Sequence, residues 1–304
     1  MSKRLFSILC LGVSLALPAS AQVRVVATLP DLASLARDVG GELVTVEQLS
    51  QPNQDPHHVA ATPTMVVRLS NADLFVMNGL DLEVGWVPAL LDASRNQNVR
   101  RGGPGFVDAS VRVPVVELPS GPIDRSMGDV HPDGNPHYTL DPVRAKWAAW
   151  NIANGLMRVD PAHAEDYKAR LRTLYARIDA AVARAQASMG CFHGSGVIVY
   201  HSRYSYLLDR LGLRPVGSIE PKPGIPPSAA HLAGIIAAQK DQHVRAVLVE
   251  PWNDHRVAQQ VASAIGATVV TPVAAVGGDP GATDIVSLFE RNVALLLGAF
   301  GERP

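Results

Sequence analysis

Three histidines stand after a proline turn or at the end of an apolar run, in separate parts of the chain. They are found in Asp55-Pro56-His57, Asn135-Pro136-His137 and Tyr200-His201-Ser202. Neutral imidazole is a good ligand for Zn²⁺, and three imidazoles with one carboxylate would complete a tetrahedral site. Proline before His57 and before His137 fixes φ and biases its predecessor to an extended form, which lowers the ordering cost of placing a ligand. None of the three belongs to a close pair of the His-x-x-x-His kind. Read alone, each is an ordinary loop or strand-end histidine, so their value depends on whether the fold brings them together.

The elements that would have to do so alternate between strand and helix. Val23 to Leu29 reads as a buried strand, and Pro30-Asp31 opens an amphipathic helix with Leu32, Leu35, Ala36 and Val39 on one face. Val44 to Leu49 reads as a strand, Thr64 to Leu69 as a helix and Leu74 to Met77 as a short buried strand. A helix follows Asp141-Pro142, and Asp160-Pro161 opens a long one to about Met189, with Tyr167, Leu171, Leu174, Ile178 and Val182 at helical spacing. Strands at Val197 to Tyr200, Val244 to Val249 and Thr268 to Thr271 then alternate with helices at Ser202 to Leu211, Ala229 to Gln239, His255 to Ile265 and Asp284 to Leu297. The pattern predicts an α/β protein: two Rossmann-like lobes with parallel sheets, joined by one long helix, with a cleft between them. The expected division is a signal peptide at 1–21, an N-terminal lobe at 22–158, a linking helix at 159–189 and a C-terminal lobe at 190–304.

Lys3 and Arg4, the apolar run from Leu5 to Leu17 and the small residues Ala19-Ser20-Ala21 read as a cleavable export signal, with Gln22 as the first mature residue. The run is shorter than the roughly 20 residues that span a membrane. Leu9 stands before Cys10 where a lipoprotein would have a small residue, so Cys10 is expected to leave with the signal. Cys191 then remains alone, no intramolecular disulfide can form, and stability must come from a core. The chain carries 27 basic and 28 acidic side chains; removing Lys3 and Arg4 leaves 25 against 28, a net −3 with histidine neutral. A near-neutral surface without basic runs argues against nucleic acid as a partner.

The words around the histidines carry a resemblance. Asp55-Pro56-His57, Ala72-Asp73-Leu74 with Asn78-Gly79-Leu80-Asp81-Leu82-Glu83, Asn135-Pro136-His137 with Leu140-Asp141-Pro142, Tyr200-His201 with Tyr206 and Gly212-Leu213, and Asn292 follow one another in order. The chain thereby resembles the zinc- and manganese-binding proteins of ABC importers, the cluster A-I solute-binding family, over essentially its whole mature length. The resemblance implies a periplasmic, monomeric, non-enzymatic carrier with Zn²⁺ as its cargo. An inner-membrane ABC permease and a periplasmic zinc chaperone are the implied partners. It implies His57, His137 and His201 as metal ligands. Manganese-selective relatives carry a carboxylate at the third position, whereas this chain has His201, and a nitrogen-rich tetrahedral site suits Zn²⁺ better than Mn²⁺.

For the fourth ligand the resemblance points to an aspartate in the loop before the final helix, which here makes Asp279 the first candidate. Asp284 sits where an N-cap is expected. Glu250, at a strand end, is the alternative, either as ligand or as a partner holding a histidine; water is a further one, and His58 could stand in for His57. Many zinc-specific relatives carry a long histidine-rich loop before the second ligand. Here Met127 to Gly134 is short and offers only Asp129, His131 and Asp133 as auxiliary ligands, a solvated loop being the competing reading. His163, His193, His231, His243 and His255 read as isolated or exposed, and Trp86, Trp147, Trp150 and Trp252 as packing residues. Two other functions compete: a manganese-binding homologue, and a secreted zinc hydrolase with Glu250 as general base, although His-Glu-x-x-His is absent. An adhesin that keeps the fold and site is a further reading.

Overall fold

The computed structural model describes residues 22–121, 128–239 and 242–301; the export signal read at 1–21 lies outside them. Its strands and helices form an α/β protein with two four-stranded parallel sheets. In the first, β1 (Val23–Ala27), β2 (Val44–Gln48), β3 (Leu74–Met77) and β4 (Phe106–Asp108) lie in the order β2-β1-β3-β4. In the second, β5 (Gly196–Val199), β6 (Arg214–Ser218), β7 (Ala246–Leu248) and β8 (Thr268–Val270) repeat it as β6-β5-β7-β8. Strand order reverses between β1 and β3 and again between β5 and β7, and loops leaving the carboxyl ends of strands at such points form ligand crevices.

The expected helices are present as α1 (Pro30–Gly40), α2 (Pro63–Ser70), α4 (Pro142–Val159), α5 (Ala164–Met189), α6 (Ser205–Leu211), α7 (Ala229–Gln239), α8 (His255–Ile265) and α9 (Ile285–Phe300). Another, α3 (Val87–Ser94), was not legible, and neither were β4 and β6. β4 has only three residues, and β6 reads Arg-Pro-Val-Gly-Ser on a sheet edge, so neither shows an apolar run. The strand expected from Val244 to Val249 is trimmed to Ala246–Leu248, and the helix expected from Ser202 begins as a single tight turn before α6.

Helix starts follow their chemistry. Asp141 caps α4 by accepting from the Val143 N–H, with Pro142 in the first turn where no donor is missed. Asp284 and Ser287 form a reciprocal capping box on α9. The 26-residue α5 is about 39 Å long at 1.5 Å per residue. Its buried stripe, which includes Tyr167, Leu174, Ile178 and Ala185, belongs to a single apolar core that also contains β1 and α1 residues of one lobe and β5 and α9 residues of the other. On its outer side Arg177 pairs with Asp38 of α1 at 2.9 Å and with Asp284, so one guanidinium clamps elements of both lobes. None of the described helices is long and apolar enough to cross a membrane.

A core shared in this way predicts one cooperative unfolding unit. Ile178→Ala, at a fully buried position of α5, should cost about 2–5 kcal/mol. In urea titrations, tryptophan fluorescence and far-UV circular dichroism should move together to a lower midpoint. Separate transitions for the two lobes would contradict the shared core.

Candidate metal centre

His57 and His137 are held by the same local device. Two residues before each, an Asx side chain accepts the histidine backbone N–H: Asp55 Oδ1 from His57 N at 3.0 Å, and Asn135 Oδ1 from His137 N at 2.9 Å. The proline between them presents its carbonyl to a buried donor, Trp86 Nε1 for Pro56 and Asn78 Nδ2 for Pro136. These bonds turn two loops into rigid mounts. The third histidine needs no turn, because His201 follows Tyr200 off the end of the buried strand β5, at the sheet's reversal point.

The three rings converge. Centroids of His57, His137 and His201 lie 5.2, 5.7 and 5.5 Å apart, each pair nearly perpendicular at 75–79°. One nitrogen from each ring lies within 4.8 Å of the other two, and no carboxylate of the described residues joins that group. Asp55 Oδ1 holds His57 Nδ1 at 2.8 Å, and Glu220 Oε2 holds His201 Nδ1 at 2.8 Å. A carboxylate on Nδ1 fixes the tautomer and leaves Nε2 as a lone pair. Behind His137, Arg203 Nη1 approaches Nδ1 at 3.3 Å, while His137 Nε2 is buried with no hydrogen-bond partner. A buried polar atom without a partner is rare in folded proteins. With a nitrogen of each of the other two rings within 4.8 Å of one on this ring, a cation placed among them would satisfy it.

The electrostatics are uneven. Burial, and then the neighbouring Arg203 and histidines, hold His137 well below the ordinary histidine range. Burial also opposes charge on His201, but its hydrogen bond to Glu220 and the charges of Glu250 and Glu220 outweigh this and raise it. Burial pushes Asp55 up, yet His57 more than reverses it and brings the carboxyl down to about 2. Burial pushes Glu250 up to about 7. Its Oε2 accepts from Asn253 Nδ2, and its Oε1 is buried without a partner.

The other candidates are dispersed. Asp279 stays out of the cluster: its carboxylate accepts from Gly281 N at 2.8 Å and pairs with Arg291 of α9 at 3.2 Å, the glycine turn having folded it onto the helix that follows. Asp284 is the N-cap of α9, as expected. His58 is exposed, 3.8 Å from Asp129, and Asp133 is exposed. His131 stands beside the centre, with Nε2 3.2 Å from His57 Nε2, but it is not one of the three residues whose nitrogens all lie within 4.8 Å of one another. It lines a cleft of 560 Å³ together with Asp129, His137 and His201. Trp86 is core, Trp147 and Trp150 are about 40 % exposed on α4, and Trp252 carries Arg203 over its ring.

Sequence reasoning missed Glu220 and Arg203. Glu220 follows the unread edge strand β6. Arg203 is an arginine in a strand-to-helix turn, where exposure is the ordinary expectation. Its burial, with Nη2 donating to the Ala274 carbonyl at 2.6 Å, is set by tertiary packing.

Known proteins resemble the chain in sequence and in fold. Residues 25–299 match the family model described as the periplasmic component A of the zinc-uptake complex, ZnuA. The iron-binding protein YfeA of Yersinia pestis is 25% identical over 291 residues, 92% of this chain and 86% of that one. The high-affinity zinc uptake protein ZnuA of Bacillus subtilis is 26% identical over 249 residues, 81% of this chain and 76% of that one. A crystal structure of ZnuA superposes with a TM-score of 0.74 at 22% identity, covering 91% of this chain and 100% of that one. A Mn-bound periplasmic metal-binding protein of Candidatus Liberibacter asiaticus superposes with a TM-score of 0.72 at 19% identity, covering 91% and 100%.

The anchoring of His201 is testable on the metal-free protein. Glu220→Gln removes the carboxylate that favours the charged ring, so the His201 titration followed by imidazole NMR should move to lower pH. An unchanged titration would mean that Glu220 does not hold the ring in solution.

Proposed function

Since the chain belongs to the ZnuA family, periplasmic metal-binding proteins of ABC uptake systems, we propose that its cargo is Zn²⁺. The ligands are His57, His137 and His201, and the acceptor is an ABC permease in the inner membrane. The family is one of solute-binding transport proteins, so the site has a capture-and-release task and no bond to break. The observation that carries the choice of zinc is the donor set: three imidazoles converge within 4.8 Å, and no carboxylate from the described residues joins them. Zn²⁺ and its later first-row neighbours favour imidazole nitrogen, whereas Mn²⁺ favours more oxygen. The relatives include proteins named for zinc and for iron, so the donor set, and not the likeness, supports this reading.

Export by the signal at 1–21 completes it, placing the mature protein where the permease can receive the ion. Capture needs little lobe movement, because the two sheets share one core and Asp31 of α1 spans the gap. Its carboxylate accepts from Val276 N at 2.8 Å and from Thr139 Oγ1 at 2.7 Å, two residues beyond His137. Loop adjustment is the expected response to the ion.

Replacing His57, His137 or His201 by alanine in turn should weaken Zn²⁺ binding by more than about 100-fold, beyond the 10–100-fold typical of losing an outer partner. Competition titration against a chromophoric chelator reads this directly. Mn²⁺ should compete poorly; equal affinity for the two ions would refute zinc as the cargo.

Binding must displace protons, and the sign follows from the site. His137 is already neutral well below neutral pH, whereas His201 gains its proton at higher pH than an ordinary histidine. Affinity should therefore hold at alkaline pH and begin to fall above the usual histidine value, by about tenfold per pH unit for one displaced proton. A flat profile between pH 8 and pH 5, roughly bracketing the ordinary histidine value, would contradict it.

A further inference from the structure

Three histidines leave one position of a tetrahedral ion open, and the two expected carboxylates do not fill it. Asp279 is committed to Gly281 and Arg291, and Glu250 stands outside the cluster beside Asn253. His131 is also outside the three-residue cluster, but unlike the carboxylates it directly faces one of its members, so a small loop adjustment would bring it in. Its Nε2 faces His57 Nε2 at 3.2 Å, with the rings 5.3 Å apart and tilted by 31°. Because Asp55 takes the Nδ1 proton of His57, the nitrogen that His57 turns toward His131 is a lone pair. Two imidazoles on one tetrahedral zinc, each at roughly 2.0–2.1 Å, have nitrogens about 3.3 Å apart. The His57–His131 pair already has that separation.

The loop that carries His131 is fastened to the opposite lobe. Asp129 N donates to the Pro223 carbonyl at 2.9 Å. The approach depends on two glycines with positive φ, Gly128 at 70° and Gly224 at 74°. A Cβ on Gly128 would overlap the Pro223 carbonyl oxygen, and one on Gly224 would overlap the Asp129 carboxylate. The loop 220–224 is in turn fixed by Glu220, whose Oε2 accepts from Gly224 N at 3.0 Å and from His201 Nδ1 at 2.8 Å. One carboxylate thus aims His201 and holds the surface on which the His131 loop docks.

Resting on the carrier reading above, we propose that His131 is the fourth protein ligand of the bound ion. It is delivered by this clasp between residues 128–131 and 220–224. The clasp displaces water from the fourth position and shuts the cleft over the ion. Opening it withdraws one imidazole and leaves the other three in place, a path to release that needs no separation of the lobes.

The test uses the Zn²⁺-loaded mature protein and counts imidazoles by X-ray absorption, with Zn²⁺ affinity measured by chelator competition. Wild type should show four imidazoles. His131→Ala should show three with an added oxygen and bind at least about tenfold more weakly. Gly224→Val, which keeps His131 but obstructs the clasp, should also show three; circular dichroism of the metal-free variants checks folding. Three imidazoles in wild type, or an unchanged count and affinity in His131→Ala, would overturn the assignment. His137→Ala separates this failure from that of the carrier reading. If it abolishes binding while His131→Ala changes nothing, only the fourth ligand is wrong; if it too binds as wild type does, the three-histidine site itself is wrong.

Discussion

An imidazole has two nitrogens, and presenting one of them to a metal requires that the other be held. This centre depends on that constraint. Asp55 and Glu220 each accept the Nδ1 proton of a histidine, so His57 and His201 turn lone pairs inward before any ion arrives. His137 is anchored differently: its backbone is fixed by Asn135 and its ring stands against the Arg203 guanidinium, a contact that at 3.3 Å is long for a hydrogen bond. It is also the most deeply buried of the three and the one whose unpartnered Nε2 is itself buried. Two carboxylate-oriented rings and one waiting ring make a site that is assembled in advance and completed by a cation.

Such preassembly needs a rigid frame, because the three histidines come from three loops and two sheets. The frame is the core shared by both lobes, with α5 running through it and Arg177 tied to α1 on one side and to the cap of α9 on the other. Asp31 adds a buried bridge close to the site, joining the turn after His137 to the segment that Arg203 also grips through Ala274. Burial raises the Asp31 carboxyl, a cost that its two hydrogen bonds reduce. A carrier built in this way is expected to open its cleft through loops, and the mobile parts of its task fall to the segments over the cleft.

The charge balance around the centre also bears on its chemistry. Arg203 is a buried cation lying over the Trp252 ring, and Glu250, with one buried oxygen unpaired, is a buried carboxyl whose charge acts on both Arg203 and His201. Deprotonated imidazoles carry no charge, so a cation held by the three proposed ligands would bring its full charge into the site, and the carboxylates behind the rings would answer it. Neutral nitrogen ligands in front and anions behind distinguish this centre from one that meets the metal with oxygen directly.

Much of this was readable from the chain. The alternation of apolar runs with helical stripes announced parallel α/β lobes, because central strands buried on both faces must be continuously apolar; β3 and β5 are buried at every position. Caps such as Asp141-Pro142, the long stripe of α5 and the Asx-Pro-His words are local, and local physics suffices to place them. The edge strand β6, with a proline and a glycine and little to bury, was not legible, and Glu220 at its end was lost with it. Only the tertiary structure decided what fills the space around three converging rings. It folded Asp279 back onto Arg291, buried Arg203 behind His137 and docked the His131 loop on Pro223. Residue type sets what a side chain can bind. Which partner it meets depends on distances between loops that are remote in sequence, and no spacing along the chain encodes those.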